Sequence, residues 1–348
     1  MPDAATQTPI LAPFPAPTPT PPSRLVDPHG REITYLRLSV TDRCDFRCVY
    51  CMDPDQRFAQ RDQTLTSAEL LAVTRVFVGL GVRKVRLTGG EPLVRPDLIE
   101  LLHALRALPG LEELVLTTNG SQLAARAHDL RAAGVRRINI SLDSLRPERF
   151  RALTRNGNLG QVLTGIDAAL AAGFERIKLN TLILGERNGD EILDLVRFAL
   201  AKGINLSFIE EMPVGEIDRR ATDFYSSERI RALISPHFPL VPTTETTGGP
   251  ARYYRIPGSP TRIGFISPHS HNFCADCNRV RVTAEGQLLL CLGQEDALDL
   301  RALLRRHPGA DELLRAAIIA AMRMKPAGHR FEIGVPAVVG RRMNLTGG

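Results

Sequence analysis

The stretch YLRLSVTDRCDFRCVYC, residues 35–51, runs from an alternating apolar segment straight into three cysteines, Cys44, Cys48 and Cys51. YLRLSV has the period-two, β-branched character of a strand, which places the thiols on the loop leaving its C-terminal end. A closed structural zinc site takes four ligands and usually pairs one C-x2-4-C with a second pair, yet only His29 lies nearby in sequence. Three thiolates on a 4Fe-4S cluster leave one iron open for a substrate or cofactor, which suits this spacing better. Zinc with a fourth ligand from elsewhere is the alternative.

Outward from this stretch the pattern repeats. KVRLTG (84–89), EELVLTTN (112–119), RINISLD (137–143), RIKLNTLIL (176–184) and LSFIEEM (206–212) read as further strands separated by amphipathic helical segments. TSAELLAVTRVFVGL opens on Thr66 with Glu69 three residues later, a capping box, and RPDLIELLHALRAL starts at Pro96 and Asp97 and stops at Pro109 and Gly110. Strands alternating with helices imply a parallel sheet, because parallel neighbours need crossover connections. Unusual residues gather at the strand ends: the cysteines, then TGGEP, TTNG, SLDS and EEMP. That convergence favours a complete or partial barrel, whose site is built from the loops at its C-terminal mouth, over an open doubly wound sheet.

Beyond about residue 215 the rhythm changes. ARYYRIPG, TRIGFIS and NRVRVTAEGQLLLCL read as short antiparallel strands, AEGQ as a hairpin turn, and 298–306 and 310–323 as helices. A second cysteine triad lies here, with two residues between Cys274 and Cys277 and thirteen between Cys277 and Cys291. His269 or His271 could complete it as a zinc site. The chain ends GRRMNLTGG, too short and glycine-rich to hold itself down by packing.

The first 24 residues carry eight prolines and no uninterrupted apolar core, the composition of a disordered tail rather than a secretory signal. Three units are therefore expected: 1–23 as a tail, 24–240 as the α/β barrel and 241–348 as a C-terminal α+β extension. No apolar run approaches the roughly 20 residues of a membrane span. Without an export signal, the six cysteines fit a reducing cytoplasm, as thiolates for metals rather than disulfides. Net charge is +6, but only four of the 44 basic residues are lysines (Lys84, Lys178, Lys202, Lys325), so the excess decides little by itself.

C-x3-C-x2-C with Tyr50 before the last cysteine, at the end of a first strand, followed by GGEP at 89–92, resembles the radical S-adenosylmethionine superfamily, whose fold is a partial TIM-type (βα)6 barrel. C-x2-C-x13-C in the C-terminal extension resembles, within it, the GTP 3′,8-cyclase family of molybdenum cofactor biosynthesis. The likeness runs from about Leu36 to Gly348 and includes LTTNG (116–120), NISLDSL (139–145), IKLNTL (177–182) and EEMPVG (210–215). One departure stands: Asp53 precedes Pro54, where the family is expected to place proline directly after the methionine.

The resemblance implies a set of roles. Cys44, Cys48 and Cys51 hold a catalytic 4Fe-4S cluster, and Tyr50, Gly90, Ser141 and Met212 contact S-adenosylmethionine. Cys274, Cys277 and Cys291 hold a second 4Fe-4S cluster whose open iron faces guanine. GTP contacts fall on Arg37, Arg86, Thr117, Lys178, Arg279, Val280 and Arg281, and the terminal Gly347 and Gly348 reach into the active site, where Arg341 and Arg342 would suit an anionic pocket. The implied reaction starts with reductive cleavage of S-adenosylmethionine to a 5′-deoxyadenosyl radical, which takes hydrogen from ribose C3′. The C3′ radical attacks C8, and reduction yields (8S)-3′,8-cyclo-7,8-dihydroguanosine 5′-triphosphate. Implied partners are an electron donor such as flavodoxin or ferredoxin and the downstream cyclic pyranopterin monophosphate synthase, for a monomer or homodimer with no nucleic acid or membrane partner. Independently, Arg37 and Lys178 interrupt strands that otherwise read as buried, and a buried cation needs an anion. Phosphate or an internal pair such as Lys178 with Glu210 would supply it.

Two rivals differ in chemistry. A peptide-modifying enzyme of the same superfamily would not need Arg37, Arg86 and Lys178 together. A basic zinc protein for nucleic acid would want aromatic stacking platforms, yet aromatics are 5% with no Trp.

Overall fold

The computed structural model describes residues 24–215, 224–333 and 339–347. The expected Pro-rich tail and Gly348 lie outside the described residues. Six parallel strands follow one another across the sheet: β1 (Tyr35–Ser39), β2 (Lys84–Thr88), β3 (Glu113–Thr118), β4 (Arg137–Ser141), β5 (Arg176–Leu182) and β6 (Asn205–Ile209). Crossover helices connect them: α1 (Ser67–Gly79), α2 (Leu98–Arg106), α3 (Leu123–Ala132), α4 (Pro147–Thr154), α5 (Leu159–Ala171) and α6 (Ile192–Lys202). The capping box at α1 forms as expected, Thr66 accepting from Glu69 N and Glu69 from Thr66 N. The leucines, valines and isoleucines between sheet and helices are buried, many without exposure.

The C-terminal strands pair antiparallel with one another, as expected, but two of them also pair parallel with the six-strand series. After α7 (Ser227–Ile234) come β7 (Val241–Pro242), β8 (Arg252–Arg255), β9 (Arg262–Ile266), β10 (Arg279–Val282), β11 (Gln287–Leu289) and β12 (Ala297–Asp299). β9 adds parallel to β6 and β10 adds parallel to β1, so one 12-stranded sheet runs through both halves of the chain. The pairs β7–β8, β8–β9, β10–β11 and β11–β12 are antiparallel. Both edges of the six-strand series are thus covered by chain that is distant in sequence, which local pattern does not reveal.

Two helices, α8 (Leu300–Arg306) and α9 (Asp311–Met322), complete the extension, α9 packing on α1. The terminus is a second correction. A short helix α10 (Met343–Thr346) ends at Gly347, whose carbonyl accepts from Arg37 at 3.0 Å and Arg281 at 2.9 Å. Among the described residues no helix is long and apolar enough to cross a membrane.

Candidate active site

Alternation on a strand sends every second side chain to one face. Register therefore places Tyr35 opposite Lys84 and Arg37 opposite both Arg86 and Arg281. These residues, with Thr117, Ser141 and Lys178, line a cavity of about 330 Å³ enclosed between the parallel strands and the C-terminal extension. All six cysteines line it too, as do Tyr50, Gly90, Met212, Arg279 and Val280.

The loop after β1 carries the first triad and is fastened from several sides. Arg47 N and Val49 N donate to the carbonyls of Thr154 and Leu153 at the end of α4, and Phe46 packs edge-on against Phe150. The Asp45 carboxylate accepts from Asn119 Nδ2 at 2.7 Å and Ser121 Oγ at 2.6 Å, and Asn119 Nδ2 also faces Cys44 Sγ at 3.8 Å. Burial raises all three thiols, Cys44 and Cys48 strongly and Cys51 to about 12. Ligation to a metal must supply what deprotonates them.

The glycines after β2 lie directly on this loop. Gly90 N donates to Thr41 O and Glu91 N to Arg43 O, both at 2.8 Å. A Cβ on Gly89 would stand 2.6 Å from Thr41 O, and one on Gly90 2.6 Å from Asp42 O and nearer still to Arg43 O. The Glu91 carboxylate, fully buried, accepts from Leu93 N, Thr118 Oγ1 and Asn119 N at 3.0, 2.7 and 2.6 Å. Burial outweighs those bonds and lifts Glu91 to about 7. Folding therefore favours the protonated acid. Its contribution to stability is complete below the ordinary 4.5 and fades as pH climbs through about 7. Thermal denaturation of Glu91→Gln is expected to lose that slope; an identical pH profile for both chains would contradict it.

The second triad is assembled by a hairpin. β10 and β11 pair with Arg281 opposite Leu289, so Cys277 and Cys291 flank its open end, and Cys277 N closes a turn on Cys274 O at 3.1 Å. The Cys277 thiol sits below its ordinary pKa. Burial alone would raise it, but the Lys325 and Arg279 charges prevail, whereas burial raises Cys291. Of the two candidate zinc ligands, His269 and His271, the His269 ring bonds Glu211 O at 3.0 Å.

Among the cations on the cavity wall, Arg86 donates to the Tyr35 hydroxyl and to Thr117 Oγ1, the latter at 3.1 Å. Lys178 donates to Tyr253 OH at 3.3 Å, and Arg281 to the Gly347 carbonyl. Among the described residues none of these three pairs with a carboxylate. Glu210, the partner weighed for Lys178, is fully buried and accepts from Ser227, His269 and Ser270. The convergence of cations holds Tyr35 at about 7 against its burial.

Comparison with known proteins meets this geometry from the sequence side. Residues 38–199 match the Radical SAM superfamily and 204–331 match Molybdenum Cofactor Synthesis C. "GTP 3′,8-cyclase 2" of Pseudomonas aeruginosa is 60% identical over 94% of this chain and 99% of its own length. "GTP 3′,8-cyclase" of Ectopseudomonas mendocina is 58% identical over the same shares. The chain belongs to the GTP 3′,8-cyclase family. Its cofactors are accordingly S-adenosylmethionine and 4Fe-4S clusters. The fold is shared with Streptococcus suis SuiB bound to S-adenosylmethionine, at a TM-score of 0.59 and 15% identity, covering 83% of this chain and 69% of that one.

For a GTP 3′,8-cyclase family member the donor set is apt: two loops of three cysteines each, facing one cavity, fit two clusters with one open iron apiece. Arg341 and Arg342 do not serve the pocket. Arg341 pairs with Glu295 at 2.7 Å and Arg342 with Asp53, where both carboxylates are more than half exposed. Sequence reasoning missed Lys84, which lines the cavity and bonds Glu113 and Thr247 O, each at 2.7 Å. Its position two residues before Arg86 on β2 was the available signal. It also missed Asp143, whose carboxylate accepts from Tyr50 OH at 2.5 Å and which burial raises to about 6.

Proposed function

We propose that this chain converts GTP to (8S)-3′,8-cyclo-7,8-dihydroguanosine 5′-triphosphate, the first step of molybdenum cofactor biosynthesis. The observation that carries the reading is one cavity lined by both cysteine triads and by Arg86, Lys178 and Arg281, which among the described residues pair with no carboxylate. We read the parallel strands as a partial (βα)6 barrel. The division near residue 240 then separates the two triads, although one sheet runs through both parts.

Cys44, Cys48 and Cys51 hold the first cluster and Cys274, Cys277 and Cys291 the second. Once bound, the first cluster and S-adenosylmethionine supply the electron and the hydrogen-abstracting radical. The chain supplies placement. Tyr50, Gly90, Ser141 and Met212 form the S-adenosylmethionine side of the cavity, with the Tyr50 ring fixed by its bond to Asp143. Arg37, Arg86, Thr117 and Lys178, joined by Lys84, bind triphosphate, for which arginine offers two parallel donors. Arg279, Val280 and Arg281 carry the nucleoside toward the second triad. Gly347 reaches the pocket through Arg37 and Arg281, and walls from both halves keep water from a reactive radical. An electron donor of flavodoxin or ferredoxin type and the downstream synthase remain the partners this chemistry requires.

The direct test is anaerobic reconstitution followed by incubation with S-adenosylmethionine, a reductant and GTP. Mass spectrometry should find 5′-deoxyadenosine and cyclised GTP in step; deoxyadenosine without the cyclised nucleotide would overturn the substrate. Lys178→Met should raise KM for GTP roughly 10- to 100-fold, because a hydrogen bond to a charged group contributes roughly 1.5–3 kcal/mol. S-adenosylmethionine binding should be unchanged in that variant, and an unaltered KM would remove Lys178 from the triphosphate site.

A further inference from the structure

The segment after α9, residues 325–328, is a strap across the second triad. Lys325 is only 2% exposed, and its Nζ donates to Leu290 O at 2.6 Å while facing Cys277 Sγ at 3.7 Å. Among the described residues no carboxylate pairs with this ammonium. A buried ammonium without a counter-charge is costly, so the anion has to come from the thiolates it faces.

The strap cannot drift. Arg31 pairs with Asp27 at 2.6 Å and donates to the carbonyls of Cys274, Pro326 and Ala327 at 2.6 to 2.7 Å. A Cβ on Gly328 would stand 3.2 Å from Cys274 Sγ, so strap and triad are in contact. Asp27 neutralises Arg31, whereas the charge of Lys325 is directed at the triad.

We propose that Lys325 is a positioning residue of the second cluster, holding Cys277 by an N–H···S bond and raising that cluster's reduction potential. The proposal rests on reading the second triad as a cluster site. A cluster gains negative charge on reduction, and a fixed cation in a low-dielectric interior stabilises the reduced form more than the oxidised one. At the first triad, among the described residues, no cation hydrogen-bonds a cysteine sulfur: Cys44 faces the neutral amide of Asn119, Arg47 is directed at the Cys44 carbonyl, and the acidic side chains Asp45, Glu91 and Asp143 lie close. The two clusters are therefore set apart in potential by their protein shells, the second accepting an electron more readily.

The test is a potentiometric titration of the reconstituted full chain with a low-potential reductant, followed by electron paramagnetic resonance, with iron and sulfide quantified. A chain carrying Cys44→Ala, Cys48→Ala and Cys51→Ala assigns the second cluster's signal. Lys325→Met should make that cluster harder to reduce by about tenfold, which is about 59 mV for one electron. The first cluster's midpoint should stay in place, and Lys325→Arg should recover most of the shift. Retained iron with an unmoved second midpoint overturns the proposal. Should Lys325→Met lose the second cluster, the unsubstituted chain decides. With only four lysines, 15N-lysine labelling and pulsed resonance on the reduced second cluster should show one coupled lysine nitrogen, and no coupling overturns the proposal. One cluster's worth of iron in the unsubstituted chain would overturn the two-cluster reading itself, and with it this inference.

Discussion

Removing residues 347 and 348 is expected to lower cyclisation by about 10²- to 10³-fold while both clusters are retained. The Gly347 carbonyl is the acceptor shared by Arg37 and Arg281, which register places side by side on β1 and β10. Each such bond to a guanidinium contributes roughly 1.5–3 kcal/mol, and loss of both leaves two half-buried guanidinium groups to reorient in the substrate cavity. Gly347→Ala is the gentler form of the same test. Gly347 has φ of +75°, where an L side chain costs about 1–2 kcal/mol. The added Cβ would also press on the Thr88 hydroxyl and lie 3.2 Å from Ser39 Cβ. Iron content, calorimetric GTP binding and cyclised product by mass spectrometry separate a misplaced pocket from a lost one. Turnover equal to that of the full chain would show that the tail only rests against these arginines.

This terminus also marks where the sequence stops being legible. β1 to β6 were readable because each carries its own alternation, and α1 because Thr66 and Glu69 mark its start. The cysteines and glycines were readable because ligand spacing and backbone conformation are local properties. By contrast, β9 on β6 and β10 on β1 are pairings between segments more than 50 residues apart, and nothing local distinguishes a parallel from an antiparallel neighbour. The GRRMNLTGG ending looks unanchored for the same reason: its partners, Arg37 and Arg281, lie elsewhere in the chain. Asp143 and Glu91 owe their raised pKa values to burial, a property of the packed state, so their types alone did not single them out. Arg341 and Arg342 erred the other way, since charge suggested a pocket and nearby carboxylates claimed them.

The second large effect is expected at Gly90, where the demand on the backbone is most acute. Gly90→Ala should abolish reductive cleavage of S-adenosylmethionine and deplete the first cluster, with the second cluster intact. The added methyl would meet main-chain oxygen on two residues, Asp42 and Arg43, rather than a side chain that can swing away. Those residues lead directly into Cys44, and Glu91 N is bonded to the same Arg43 carbonyl, so relief on one side displaces a ligand and relief on the other breaks the Glu91 bonds to Thr118 and Asn119. Overpacking of this kind typically costs about 1–3 kcal/mol in a core, but here the strain falls on the loop that must present three thiols together. Global stability should therefore change modestly while the first cluster is lost, a selectivity that iron analysis and resonance spectra resolve. Wild-type iron content and undiminished 5′-deoxyadenosine formation in Gly90→Ala would mean that the cluster loop can yield without cost. The close approach of the two loops would then be packing alone, and the reason for two adjacent glycines would have to be sought in the ligand that they face.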